Sequence, residues 1–407
     1  MNYLVNYAEI LVDTALEIKE NQLLFIRADV ESAPLVRLVV ELAYKRGAKN
    51  VKVAYSDSEI QRLDYTYKDY QTFKSIPQYI IDERMEYANL RSAQLVIESE
   101  SPDIYNGLDY KKITTHMSSN KSAFSKYFKM IRSDELVWTV AVFPSKKWAK
   151  YVFPDDNDEV AYEKLMHEII NAVRANNLDS SGNWRKHIEQ LTAKAYYLNS
   201  KQFKTLRFTS ENTNLEVGLV NNHIWKTSFN KTNTGASFIT NIPTEEIFTT
   251  PNKYEVNGTV MTTKPISYGG QVIEDIELVF EKGEIISFDA KKGRELLKEF
   301  IFSNENAQYF GEIALVSEDT PIANSNILFS NTLLDENASC HFALGNAYLN
   351  TIKNGSHLTE DEKNQQGINH SMVHEDFMFG SKDLSIIGIS RNGEEEEEIM
   401  REGIWTF

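Results

Sequence analysis

Between residues 3 and 144 the chain alternates amphipathic helix patterns with short apolar runs, and after Ser200 that alternation stops. Leu4, Ala8, Leu11, Ala15 and Ile18 recur at helical spacing and predict a helix over 3–19. Asn21 leads into LLFIRAD, a strand at 23–29. A second amphipathic helix over 32–46 ends at Gly47, a residue suited to the left-handed turn that follows a helix. VKVAY at 51–55, AQLVIES at 93–99 and LVWTVAVFP at 136–144 supply further strands. Parallel strands need long crossovers, usually helical. The rhythm therefore predicts an α/β domain whose parallel or mixed sheet is covered by helices.

Helices are also predicted at 158–176 and 184–199. Past Ser200 short strands dominate: TLRFTS, LEVGLV and HIWKTS, the last two joined at Asn221-Asn222. GQVIEDIELVF and EIISFDA read as a hairpin turning at Lys282-Gly283. Only 291–302 and the region after 337 read as helical. The change of texture predicts an α/β N-terminal domain over 1–195 and an α+β C-terminal domain with mixed or antiparallel strands over 196–407. The Glu394–Glu398 run reads as a solvated acidic loop or helix face.

Composition narrows the partners. The chain has 407 residues, 42% of them hydrophobic, enough for more than one core. With 43 basic and 59 acidic side chains, its net charge of −16 disfavours nucleic acid and membrane surfaces, both polyanionic. Cys340 is the only cysteine, which excludes an intrachain disulfide framework and a Cys-only zinc site and suits a reducing compartment. The opening residues lack the basic and apolar regions of a signal peptide. The longest apolar candidate, LVRLVVELAY, is broken by Arg37 and Glu41. The expectation is a soluble, cytoplasmic protein. Neither G-x-G-x-x-G nor G-x-x-x-x-G-K-[ST] occurs, which counts against a nucleotide-binding regulator despite the βαβ rhythm.

Chemistry-bearing residues gather in the second half. Glu245-Glu246 lie in NIPTEEIFTTP, Glu312 in YFGEIALVS, His341 in ASCHFALGNAY with Tyr348 seven residues on, and His374 and Asp376 in SMVHEDFMFG. Taken singly, each has a bland reading. A Glu-Glu pair is usually a solvated loop, His341 among apolar neighbours a hydrogen-bonded core residue, and Tyr348 a packing residue. Glu312 is less bland, because a carboxylate before a buried strand needs a partner. In a strand, His374 and Asp376 share a face. Together, two Glu, two His and one Asp offer only oxygen and nitrogen donors, a set suited to two hydrolytic metal ions. Competing nucleophiles are weaker: no H-E-x-x-H and no G-x-S-x-G occurs, and Cys340 and His341 are adjacent, so their side chains aim apart.

These segments resemble the thermophilic metalloaminopeptidase family that includes aminopeptidases T, S and II. The likeness runs from YAEILVDTALEIKENQLLFIRAD through WRKHIEQLTAKAYYLN and GGQVIEDIELVFEKGEI to NIPTEEIFTTP, GEIALV, the stretch from Ala338 to Tyr348, and HEDFMFG, in order. It implies a dinuclear exopeptidase acting on peptides with a free N-terminus, assembled as a homodimer. It implies two divalent ions per chain (Zn, Co, Mn or Mg), with Glu246, Glu312, His341, His374 and Asp376 as ligands. Tyr348 matches a family active-site tyrosine. Glu246 is taken as the ligand of the Glu pair because its spacing to Glu312 fits the family, and Glu245 as the proton shuttle by adjacency. A noncatalytic metal- or peptide-binding member of the same fold is the alternative. Lys194 stands where many relatives are expected to carry Arg.

Overall fold

The early alternation folds into a parallel sheet. In the computed structural model, which describes residues 3–177, 179–268 and 271–407, strands β1 (Leu23–Asp29), β2 (Asn50–Ser56), β3 (Ala93–Glu98) and β4 (Trp138–Val142) lie in the order β2-β1-β3-β4. All these pairings are parallel, and the short strand Asn241–Ile242 extends the edge beside β4. The predicted first helix holds over Tyr3–Glu9 and then widens into a π-helical stretch over Ile10–Ala15. Its buried Tyr7 donates a hydrogen bond to the Val142 carbonyl (2.8 Å), pinning the helix to the end of β4. Helix α1 (Ala33–Lys45) presents Leu35, Val36, Val39 and Ala43 to the core, and Gly47 follows it at φ 87°, as the sequence predicts. Helix α2 (Gln78–Asn89) and helix α3 (Ser125–Arg132) cross over within the same unit.

The chain divides into two compact units: residues 1–188 with 228–243, and residues 189–227 with 244–407. The division falls inside the long helix Ser180–Lys201. A single cut near residue 195 does not describe it, because the chain returns to the first unit at 228–243, where Phe229–Lys231 and Ser237–Ile239 form a small antiparallel ribbon.

The second unit is built from antiparallel sheets. A large one contains the hairpin Gln271–Glu281/Glu284–Lys292, turning at Lys282 (φ 51°) and Gly283 (φ 83°), the two positive values that a tight hairpin turn requires. Three expectations fail in this unit. HIWKTS is not a strand hairpinned to LEVGLV; it makes only isolated bridges to Ile352 and Phe248. Its Trp225 is held instead by Asn199, which both accepts from its N–H and donates to its carbonyl, each at 2.8 Å. The region after 337 holds five short strands joined by loops and 3-10 turns, with one short α-helix at Glu360–Gln365. A short, fully buried run carries no alternation that separates strand from helix. Glu394–Glu398 likewise runs into a strand, Glu396–Arg401, whose acids pair with Arg207, Lys201 and Arg401.

A four-stranded antiparallel sheet carries the candidate site. Its strands are β5 (Ile247–Thr249), β6 (Phe310–Leu315), β7 (His341–Gly345) and β8 (His374–Met378), adjacent in that order. One face joins the main hydrophobic core. There Phe310 stacks on Phe342 (4.4 Å between ring centres) and Phe342 on Phe377 (5.3 Å), one ring from each of three strands.

Candidate metal centre

Register places the polar residues on the opposite face. Glu312 lies across from Ala343, which lies across from Asp376; His341 faces Ala314, and His374 faces Gly345. Side chains alternate along a strand and directly paired residues share a face. Glu312, His341, His374 and Asp376 therefore stand on one face, separated by Ala314, Ala343 and Gly345. These small residues leave room between the four polar side chains. The irregularity between Phe310 and Glu312 allows Phe310 to enter the core while Glu312 faces the site. At that kink a Cβ on Gly311 would come within 2.5 Å of the Gly345 carbonyl oxygen, so the close approach of the two strands requires glycine. Glu246 immediately precedes β5, two residues before Phe248, which is paired with Ala314. It thus reaches the same face from the neighbouring strand.

Glu246, Glu312 and His341 each offer a ligand atom within 4.8 Å of the other two, and all three are buried. His341 Nε2 is 3.3 Å from Glu246. His374 Nε2 is 3.5 Å from Glu312 and 3.7 Å from Asp376. Glu312 thus touches both halves of the cluster. Each imidazole is oriented by its other nitrogen: His341 Nδ1 donates to the Ser339 carbonyl (3.2 Å) and His374 Nδ1 to the Asn346 carbonyl (2.7 Å). That arrangement turns each Nε2 toward the carboxylates: protonated, it donates to them, and deprotonated it offers a lone pair to a metal, as metal-binding histidines do.

The electrostatics fit a cation. Burial, reinforced by the charges of Glu246 and Asp376, holds the Glu312 carboxyl well above the usual range. Glu312 Oε2 is buried without a hydrogen-bond partner. For His341, burial pulls downward, but the hydrogen bond to Glu246 and the charges of Asp376 and Glu246 outweigh it, and the imidazole is raised. Three clustered carboxylates and an orphaned oxygen are costly without positive charge. The residues present, all hard or borderline donors with two oriented imidazoles, fit divalent metal.

Tyr348 and Glu245 flank this face. The Tyr348 ring lies 4.8 Å from that of His374 and 6.1 Å from that of Phe248. Although the residue is 40% exposed, desolvation and the charges of Glu312 and Asp376 keep its phenol well above its ordinary value. Glu245 is buried, and its backbone N–H donates to Asn337 Oδ1 (2.7 Å). Asn337, itself fully buried, donates onward to the Leu333 carbonyl (2.9 Å) and so fixes the loop that carries both glutamates. Sequence reading missed this asparagine, which sits in an unremarked DENAS stretch, and had no means to find the Ser339 and Asn346 carbonyls that orient the histidines. Lys194 lies over the Trp405 ring (5.4 Å). Burial pulls its ammonium down, while Asp319 and Glu245 oppose the shift. Cys340 is buried, and burial pushes its thiol up to about 12, which leaves it inert as a nucleophile. No helix among the described residues is long and apolar enough to cross a membrane.

Comparison with known proteins finds relatives over nearly the whole chain. The chain is 39% identical to aminopeptidase AmpS of Bacillus subtilis over 401 residues, covering 98% of both chains. It is 38% identical to aminopeptidase 2 of Geobacillus stearothermophilus, covering 98% of this chain and 97% of the relative. The solved structure of wild-type AmpT from Thermus thermophilus superposes with a TM-score of 0.93 at 31% identity, covering 100% of this chain and 99% of that one. The model of the thermophilic metalloprotease (M29) family matches residues 1–405, and with full-length relatives on both sequence and structure this chain belongs to that family.

Proposed function

We propose that this metalloprotease is a dinuclear aminopeptidase that hydrolyses the first peptide bond of chains with a free N-terminus. Glu246, Glu312, His341, His374 and Asp376 would hold two divalent ions, Zn, Co, Mn or Mg. The observation that carries the reading is the single sheet face on which Glu312 contacts His374 and also joins the Glu246–His341 group. When bound, the metals supply Lewis acidity toward the scissile carbonyl and a water acidic enough to act near neutral pH.

The chain's own groups complete the chemistry. Glu312 would be shared between the two positions, a role supported by its nearness to His374 and to the Glu246–His341 group. The acidic face attracts the substrate's free α-amine, which ties recognition to the peptide terminus. Tyr348, kept as a neutral phenol, donates its hydroxyl proton in a hydrogen bond to the substrate carbonyl oxygen as that oxygen gains charge. Glu245 accepts the proton of the attacking water on its carboxylate and returns it to the leaving amine nitrogen. The proposal includes a homodimer and a cytoplasmic location, the latter supported by the lone buried Cys340.

The test is amino-acid release from paired free and N-acetylated peptides, using enzyme stripped with chelator and resupplied with Zn²⁺, Co²⁺ or Mn²⁺. Turnover restored by metal and abolished by N-acetylation is the expected result. Metal retained with no turnover on any peptide would instead indicate a noncatalytic binding member.

A further inference from the structure

The polar face of the first unit's parallel sheet holds two arginines that the proposed chemistry does not use. Arg84, on α2, is only 8% exposed, and its Nε and Nη2 have no hydrogen-bond partner. Its guanidinium is packed against three rings of one neighbouring segment: Tyr127 (3.8 Å), Phe124 (4.5 Å) and Phe128 (5.4 Å). Arg27, half-buried on β1, also lacks an ion-pair partner among the described residues. Two of the carboxylates nearby are committed elsewhere, and Glu98 and Glu100 lie beside Asp29. Glu83 pairs with Lys52 at 2.6 Å, and Asp29 accepts from the N–H groups of Glu31 and Ser58.

Several contacts place the two arginines together. Phe25 of β1 stacks on Tyr87 of α2 with ring centres 5.0 Å apart. Arg27 is two residues beyond Phe25, about 6.6 Å along a strand. Arg84 is three residues before Tyr87, about 4.5 Å along a helix that runs back against the strands. Gln94 of β3, paired with Phe25, shares that face and accepts from the Tyr127 hydroxyl (3.3 Å) beneath Arg84. Burial and the neighbouring Arg27 pull the Arg84 guanidinium down to about 10, so it stays charged at neutral pH. Aromatic rings compensate one side of Arg84 and the Tyr127 hydroxyl accepts from it, but Nε and Nη2 stay unsatisfied. The order β2-β1-β3-β4 also reverses between β1 and β3, the place where open α/β sheets bind ligands.

We propose that Arg27 and Arg84 form a binding site for a small oxyanion, a phosphate or a carboxylate group, over β1 and β3. Forked N–H donors match the paired oxygens of both anions. The phosphate loops of nucleotide-binding sheets are absent, so the side chains, rather than a glycine-rich turn, supply the positive charge. Both arginines belong to the first unit, and the residues of the candidate metal centre to the second.

The experiment is thermal unfolding of the full-length protein, chelator-treated so that no metal captures the anion, titrated with inorganic phosphate and separately with acetate at constant ionic strength. A ligand of the native state raises the midpoint with concentration. The expected result is a saturable rise for at least one anion, with Arg27→Gln needing at least tenfold more of it for the same shift. The anion that acts at lower concentration identifies the source as phosphate or carboxylate. An anion-independent midpoint, or an unchanged titration in Arg27→Gln, overturns the proposal. Arg84→Lys is the second variant, and the half-buried Arg27 position decides the question if that variant does not fold.

Discussion

Removing charge from the centre of the site separates its cost from its use. In the metal-free protein Glu246 and Glu312 offer oxygens within 4.8 Å of each other, and Asp376 adds its field. Two unit charges at that separation repel by about 3 kcal/mol at an effective dielectric near ~20. Glu312→Gln keeps the shape and removes the charge. Stripped of metal at pH 8, the variant is expected to be more stable than the parent by about 2–3 kcal/mol in urea unfolding. The pH dependence has a definite sign. A carboxyl whose folded pKa is raised binds its proton more tightly in the native state, so the metal-free parent loses stability as pH rises from the ordinary carboxylate range through the raised value. The gap between parent and variant therefore closes as pH falls toward 5. Zinc is expected to stabilise the parent strongly and the variant weakly. A metal-free variant less stable than the parent at pH 8 would refute the reasoning.

Other residues give independent checks. His223 is buried, donates Nδ1–H to the Val220 carbonyl (3.0 Å), and is pushed by burial down to about 4. Its stability contribution is complete above the unfolded value near 6.5 and is lost as pH falls to about 4, some 3 kcal/mol in all; His223→Gln should flatten the urea midpoint across that window. Phe342→Ala removes the middle ring of the three-strand stack and should cost about 3–5 kcal/mol, read from the same unfolding curves. Tyr348→Phe should lower kcat about 100-fold with little change in KM and unchanged metal content; a larger effect on KM would make Tyr348 a binding residue.

Where apolar runs alternate with helices, the sequence is informative. LLFIRAD is β1 from end to end, and Gly47 closes its helix as read. The later strands are harder. All five residues of β7 are buried, and such a strand shows no alternation, which is why the region after 337 reads as helix. HIWKTS carries strand composition, but the Asn199 side chain occupies the backbone groups of Trp225. In the site, residue types and the His-x-Asp spacing point to metal, yet nothing in the sequence sets the register that aligns Glu312, Ala343 and Asp376 across three strands. The groups that orient the cluster were the least legible. They are the Ser339 and Asn346 carbonyls and a buried Asn337: backbone groups carry no side-chain signal, and Asn337 and Asn346 act on residues distant in sequence.

The most direct measurement is an anomalous difference map from crystals of the zinc-loaded protein. The account predicts two peaks per chain about 3.5–4 Å apart, one against Glu246 and His341, the other against His374 and Asp376, with Glu312 between them. A single peak, or peaks away from the β6-β7-β8 face, would contradict it.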